Sequence, residues 1–201
     1  EDFSLDAKQA FSRDMFVLSY LLHGISFVDM AYLRKSEFKD GVITYHRRKS
    51  GTLIRTPICK EAMKIINRYT RLTTNSPYLL PIIHSTENDE YKQYQSALRS
   101  HNRRLKLIAK YLGIKEVLTS YVSRHSWATN AHHFGVSTAI ISQALGHSTE
   151  TITRIYLSSF SIEALNSAND TIQNALKRIK IDKKKRGKSD VRLYHRDGQN
   201  L

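Results

Sequence analysis

The sequence predicts a mainly α-helical domain with a small antiparallel β-sheet. Apolar residues recur at helical spacing along most of the chain. Residues 41–58 instead carry two β-type runs on either side of a short turn. Between residues 122 and 156, segments that begin at serine and end at glycine follow one another, which is typical of short helices with tight connections. These features together predict the α+β class.

The first two predicted elements are helices. Residues 4–22 place apolar side chains on one helical face, and the pair His23-Gly24 ends the pattern. A short second helix is predicted to begin at Ser26, because Ser26 and Asp29 have the spacing of a capping box.

The third element is a predicted hairpin over residues 41–58. Its strands are the runs at 42–45 and 53–56, and its turn contains Lys49-Ser50-Gly51. The tip is basic, because Arg47 and Arg48 come directly before Lys49.

The remaining elements are helices. We predict them at about 60–72, 88–112, 122–134, 137–145, 148–156 and 161–179. We expect a single domain over residues 1–180, followed by a basic tail at 181–201. The chain begins at Glu1, so we also expect it to be part of a longer protein.

The charge of the chain predicts a polyanionic partner. Its 201 residues hold 32 Lys and Arg against 18 Asp and Glu, a formal charge of +14. Residues 177–201 alone hold ten Lys or Arg and three Asp, a net +7. No apolar run approaches the roughly 18 residues of a membrane-spanning helix, so we expect nucleic acid as the partner and no membrane contact. The single cysteine, Cys59, excludes a disulfide framework and favours a cytoplasmic protein.

Several residues could together break a phosphodiester bond without a metal. That reaction needs a nucleophile, cations that bind the phosphate, and an acid for the leaving oxygen. The last third of the chain offers Arg124, His125, His147 and Tyr156, and the hairpin offers Lys49. Each has an ordinary alternative role in packing, solvation or helix capping, so only the ordered set carries the argument.

This ordered set resembles the catalytic domain of the tyrosine recombinases, the phage integrase family, between Phe16 and Tyr156. The resemblance rests on three motifs, which are Tyr121-Val122-Ser123-Arg124-His125, Leu145-Gly146-His147-Ser148 and Thr153-Arg154-Ile155-Tyr156. The family pattern is His-x-x-Arg, then Leu-Gly-His, then the tyrosine. A weaker match lies at 22–29, and Lys49 stands where the family has its catalytic lysine.

The resemblance implies a role for each residue. Tyr156 would attack the scissile phosphate and form a 3′-phosphotyrosyl link, without a metal, ATP or another cofactor. Arg124 would bind two phosphate oxygens, which its planar guanidinium can do bidentately. His147 would hydrogen-bond the phosphate and help to move the proton of the tyrosine. Lys49 would protonate the leaving 5′ oxygen, and Arg47, Arg48 and His125 would contact the DNA.

Two positions depart from the family pattern. Ser26 stands where the first catalytic arginine is expected, and Tyr121 stands where the histidine of His-x-x-Arg is expected. Integrases of conjugative transposons and related mobile elements resemble this chain in lacking that arginine. Arg47, Arg48 and His23 are candidate replacement cations. We interpret Ser26 first as a helix N-cap and second as a phosphate contact.

The resemblance also implies partners. They are double-stranded DNA and other copies of the chain, in a tetramer that passes through a four-way junction. The predicted helix at 161–179 would dock on a neighbouring subunit. A DNA-binding domain would precede this chain. The alternatives are a type IB topoisomerase and an integrase-like DNA-binding protein that has lost catalysis.

Overall fold

The computed structural model describes residues 6–157, except for the side chain of Tyr156. It confirms the mainly α class with a small antiparallel sheet. The helices are α1 (Ala7–Leu21), α2 (Phe27–Tyr32), α3 (Lys60–Tyr69), α4 (Glu90–Tyr111), α5 (Ser120–His133), α6 (Thr138–Leu145) and α7 (Glu150–Leu157), and the strands are β1 (Phe38–Lys39), β2 (Val42–His46) and β3 (Leu53–Pro57). The predicted helix at 161–179 and the tail at 181–201 lie outside the described residues.

The helix starts follow from polar caps. Helix α1 begins at Ala7, later than predicted, because Asp6 and Gln9 form a capping box with bonds of 2.7 and 3.2 Å. Helix α5 begins earlier than predicted, at Ser120. The backbone N–H of Ser120 donates a hydrogen bond at 2.8 Å to the side chain of Asn102 in α4, which caps the helix. A cap that comes from another helix leaves no local signal in the sequence.

The sheet has the order β1-β2-β3 and is antiparallel throughout. The predicted hairpin is present, and His46 pairs with Leu53 next to its tip. The sequence pattern does not predict strand β1, because its two residues form a strand only by pairing with β2. Side chains of β2 and β3 alternate between the core and solvent, with Ile43 and Ile54 among the buried ones.

Helix α1 is the centre of the main core and packs against α3, α4 and α5. A second, smaller hydrophobic cluster lies between α5, α6 and α7 and includes Ala128, Ile141 and Leu145. These contacts bring the C-terminal end of α1, the start of α5 and the end of α6 close together.

A buried carboxylate joins α1 to α3. Asp14 is 3% exposed and accepts hydrogen bonds from the Tyr69 hydroxyl at 2.7 Å and from the guanidinium groups of Arg13 and Arg68. Burial raises the pKa of Asp14, but these donors outweigh burial and hold its pKa below the ordinary 3.8.

We predict that Asp14→Asn lowers the free energy of unfolding by about 2 kcal/mol near pH 7, because it removes charge-assisted hydrogen bonds. A depressed carboxyl pKa stabilises the fold above the ordinary value and loses that effect as the pH falls through the folded pKa. The difference between wild type and variant, measured by urea unfolding, should therefore shrink below about pH 4. Asp40→Asn, at an exposed turn residue, is the control and should show little loss of stability at pH 7. An equal loss at pH 7 and pH 3 would contradict this account.

Candidate active site

A left-handed turn at the end of α1 forms one wall of the site. His23 and Gly24 have φ values of 57° and 75°. A side chain at position 24 would place its Cβ 3.0 Å from the Cα and Cγ of Arg124. Glycine is therefore required here both for its backbone conformation and for the close approach of α5.

Arg124 lies at the centre of the site and is 3% exposed. Its guanidinium donates to the carbonyl of Gly24 at 2.7 Å and to the carbonyl of Leu145 at 2.5 Å. Its Nη2 atom is 3.4 Å from Nε2 of His147. Arg124 thus joins the turn after α1 to the C-terminus of α6, where the helix dipole favours a cation.

Two buried serines hold α5 against this turn. The Ser123 hydroxyl donates to the Ser19 hydroxyl at 2.7 Å, and the Ser19 hydroxyl donates to the carbonyl of Ile25 at 2.7 Å. These two hydrogen bonds fix Ser123, and with it Arg124, relative to the turn after α1. Sequence patterns gave no role to either serine, because a serine inside a helix is usually a solvent-facing residue.

His147 lies between the cations of the site and α7. It follows Gly146, which ends α6 in the left-handed conformation at φ 61°. Its Nδ1 atom is 2.8 Å from the Thr153 hydroxyl in α7. Burial, followed by the charges of Arg124, Arg47 and Lys49, lowers the pKa of His147 to about 4. The imidazole is therefore neutral near pH 7, and Thr153 orients it.

The hairpin tip docks on the same turn. The guanidinium of Arg47 and the hydroxyl of Ser50 both donate to the carbonyl of Gly146, at 2.8 and 3.0 Å. A Cβ at position 146 would lie 2.7 Å from Cδ1 of Ile54 and 3.0 Å from Cδ of Arg47. The Gly146 turn can approach the hairpin this closely because it lacks a side chain.

A second contact holds the other side of the tip. The backbone N–H of Arg48 donates to Asp29 at 2.8 Å. Ser26 caps α2 by accepting from the N–H of Asp29 at 3.3 Å, and its hydroxyl donates to the Asp29 carboxylate at 2.6 Å. The N-cap interpretation of Ser26 is confirmed, and Asp29 connects that cap to the hairpin.

The other predicted residues lie around this centre. Lys49 is exposed at the hairpin tip, close enough for its charge to act on His147. Tyr121 and His125 lie on exposed parts of α5 on either side of Arg124, and Tyr121 is 57% exposed. Tyr156 belongs to α7, and its side chain lies outside the described residues.

The candidate replacement cations differ in position. Arg47 lies in the site, on Gly146. The guanidinium of Arg48 lies over the ring of Tyr32, 3.7 Å from its centroid. His23 packs against Trp127 with ring centroids 5.2 Å apart, and burial lowers its pKa.

Two classes of feature are absent from residues 6–157. No three His, Cys, Asp or Glu side chains converge there as a candidate metal group. Within the same residues, no helix is long and apolar enough to cross a membrane.

Comparison with known proteins identifies the family. The sequence profile described as the phage integrase family matches residues 7–162. The chain belongs to the phage integrase family. It is also 31% identical over 120 residues to the tyrosine recombinase XerA of Pyrococcus furiosus, covering 59% of this chain and 40% of that protein. The chain therefore spans about two fifths of the length of this curated relative.

Several solved structures share the fold. The XerA recombinase matches with a TM-score of 0.57 at 19% identity, covering 83% of this chain and 64% of that one. XerH bound to a palindromic difH substrate matches with a TM-score of 0.63 at 16% identity, covering 85% and 48%. The Tn1549 transposon integrase in complex with transposon right-end DNA matches with a TM-score of 0.53 at 12% identity, covering 86% and 69%.

We predict that His147 titrates near pH 4 and that removing a neighbouring cation raises its pKa, since each positive charge disfavours the imidazolium. The increase in the pKa of His147 should be larger for Arg124→Met than for Lys49→Met. Lys49→Met is the variant that should disturb the fold less, because Lys49 is exposed. NMR titration of the histidine Cε1–H resonances, assigned with His147→Gln, measures this.

His101 provides an internal control for the titration. Burial, followed by the charge of Arg104, also lowers its pKa to about 4, but it stacks on Phe27 away from the hairpin. Its titration should be the same in wild type and in Lys49→Met. A wild-type His147 that titrates near 6.5 would contradict the geometry of the site.

Proposed function

We propose that this chain is the catalytic part of a site-specific DNA recombinase that cuts and rejoins strands through Tyr156. One observation carries the proposal. The buried guanidinium of Arg124 lies 3.4 Å from His147, which is neutral near pH 7. His147 lies on the turn after α6, which also binds the basic hairpin tip and leads into α7, the helix of Tyr156. Cations, a neutral imidazole and a tyrosine helix that meet at one turn suit phosphoryl transfer.

The reaction proceeds by transesterification. The Tyr156 oxygen attacks the phosphorus, the bond from phosphorus to the 5′ oxygen breaks, and a 3′-phosphotyrosyl link forms. Lys49 gives a proton to the departing 5′ oxygen, and His147 hydrogen-bonds the phosphate and helps to remove the proton of the tyrosine. One phosphodiester replaces another, so the step needs neither ATP nor a metal.

Arg47 is the residue that we propose in place of the first family arginine. Position 26 holds Ser26, whose hydroxyl is occupied by Asp29. Arg48 is stacked on Tyr32, and the lowered pKa of His23 leaves it neutral near pH 7. Arg47 lies closest to the chemistry, because its charge acts on His147 and its guanidinium sits on Gly146. Arg124 and Arg47 would then bind the phosphate together, with Tyr121 as a further hydrogen-bond donor.

Double-stranded DNA is the proposed substrate. The charge of +14 supports a polyanion, and the XerH and Tn1549 integrase structures are described as DNA complexes. We further propose a tetramer on DNA that forms a four-way junction, with residues 161–179 docking on a neighbour. The catalytic domain would extend over 1–180, with 181–201 as a basic tail, in a cytoplasmic integrase of a mobile element.

A DNA-binding protein without catalysis is the second candidate. Ser26 and Tyr121 favour it, because each replaces a residue of the family's catalytic set. It shares the basic surface with the recombinase and differs in forming no covalent product.

We predict that the intact protein, incubated with sheared genomic DNA of its source, forms an SDS-resistant adduct that Tyr156→Phe abolishes. Sequencing the recovered DNA would locate the cleavage site. Arg124→Ala should also lose the adduct while keeping salt-sensitive binding, since binding to phosphates is spread over many cations. Equal binding by wild type and Tyr156→Phe with no adduct from either would favour the binding protein, and relaxation of supercoils without junctions would favour a topoisomerase.

A further prediction separates the two hairpin arginines. On a nicked duplex that contains the recovered site, Arg47→Ala should slow adduct formation by about 10²-fold or more, the cost of losing one donor to a developing charge. Arg48→Ala is the matched control and should slow it by less than about tenfold, because its guanidinium lies on Tyr32. The reverse order would assign the missing cation to Arg48.

A further inference from the structure

The carbonyl of Gly146 receives hydrogen bonds from both sides of the hairpin tip. Arg47 donates to it at 2.8 Å and Ser50 at 3.0 Å. Lys49 is bracketed in the chain by these two residues. Its main chain is therefore held near the α6–α7 turn at two points.

The tip is also closed internally. The carbonyl of Arg47 accepts from the N–H groups of Ser50 at 3.3 Å and Gly51 at 2.7 Å, and the Arg47 N–H donates to the carbonyl of Thr52 at 2.9 Å. Ser50 and Thr52 share a hydroxyl contact of 2.9 Å. The tip therefore moves as one unit, and a bond at Ser50 restrains the backbone of Lys49.

The restraint reaches the helix of the nucleophile. Gly146 is followed by His147, which contacts Thr153 in α7 at 2.8 Å. Lys49 would protonate the leaving oxygen, and α7 carries Tyr156. Both are thus held by contacts with the same turn at Gly146 and His147. An exposed lysine has a long, mobile side chain, so the position of its backbone limits where its ammonium can reach.

We infer that Ser50 is a positioning residue that fixes Lys49 for proton donation to the leaving oxygen, by anchoring the hairpin tip to the carbonyl of Gly146. The inference rests on the proposed function, because it needs Lys49 to act as the acid. In this role Ser50 itself contacts neither the phosphate nor the proton that is transferred. Its removal should therefore affect only the step that needs the acid.

The leaving group distinguishes this role from a general structural one. In an ordinary substrate the 5′ oxygen must take a proton as its bond to phosphorus breaks. If sulfur replaces that bridging oxygen, the phosphorus–sulfur bond breaks and the electron pair stays on a 5′-thiolate, which is stable without protonation near neutral pH. A defect in positioning the acid should disappear with the sulfur substrate.

The experiment compares single-turnover cleavage of two nicked duplexes containing the recovered site, one with the 5′-bridging oxygen and one with 5′-bridging sulfur. Ser50→Ala should cleave the oxygen substrate about tenfold more slowly than wild type, the effect of one hydrogen bond on a rate. It should cleave the sulfur substrate within about twofold of wild type. Ser50→Thr, which keeps the hydroxyl, should restore most of the rate on oxygen.

Reference variants give each outcome a meaning. Lys49→Met should be slow on oxygen by about 10²-fold or more and rescued by sulfur, whereas Arg124→Ala should be slow on both. Ser36→Ala, at an exposed serine of the turn before β1, should match wild type. If Ser50→Ala is slow on both substrates, or normal on oxygen, the inference is wrong although the proposed function stands. If sulfur fails to rescue Lys49→Met, the acid role of Lys49 fails and takes the inference with it.

Discussion

The structure of the site depends on two carbonyl groups at the C-terminus of α6. The carbonyl of Leu145 binds Arg124, and the carbonyl of Gly146 binds Arg47 and Ser50. Carbonyls at the last turn of a helix lack partners within the helix and carry the negative end of its dipole. They therefore attract cations, and they gather them from two distant parts of the chain.

Two glycines, one in the turn after α1 and one in the turn after α6, make this arrangement possible. Gly24 lets the turn after α1 reach the backbone of Arg124, and Gly146 lets the α6–α7 turn reach the hairpin. Burial, followed by the charges of these cations, lowers the pKa of His147 to about 4, so it stays neutral near pH 7. The fold itself thus concentrates positive charge at this turn, although Ser26 stands where the family pattern has an arginine.

The periodicity and the turn residues predicted most of the described fold, whereas the candidate site residues came from the ordered motifs that resemble the family. The hairpin, the ends of α6 and the capping role of Ser26 follow from local chemistry, since each depends on residues within one turn of each other. Two exceptions that depend on distant residues are the start of α5, which Asn102 caps from α4, and β1, which exists only through β2. Sequence patterns also do not predict the hydrogen bonds from Ser123 to Ile25 by way of Ser19, because they join segments about a hundred residues apart.

The sequence by itself determined the class of the fold, the family, the basic charge and the identities of Arg124, His147, Lys49 and Tyr156 as the candidate set, because these depend on residue type, order and spacing. Only the tertiary structure decided which atoms meet. It separated Arg47 from Arg48 and His23, and it placed Asp29, Thr153 and Ser50 in supporting contacts. The physical reason is that helices and turns form from near neighbours, whereas the position of a charge in a site is set by the packing of elements that are distant in sequence.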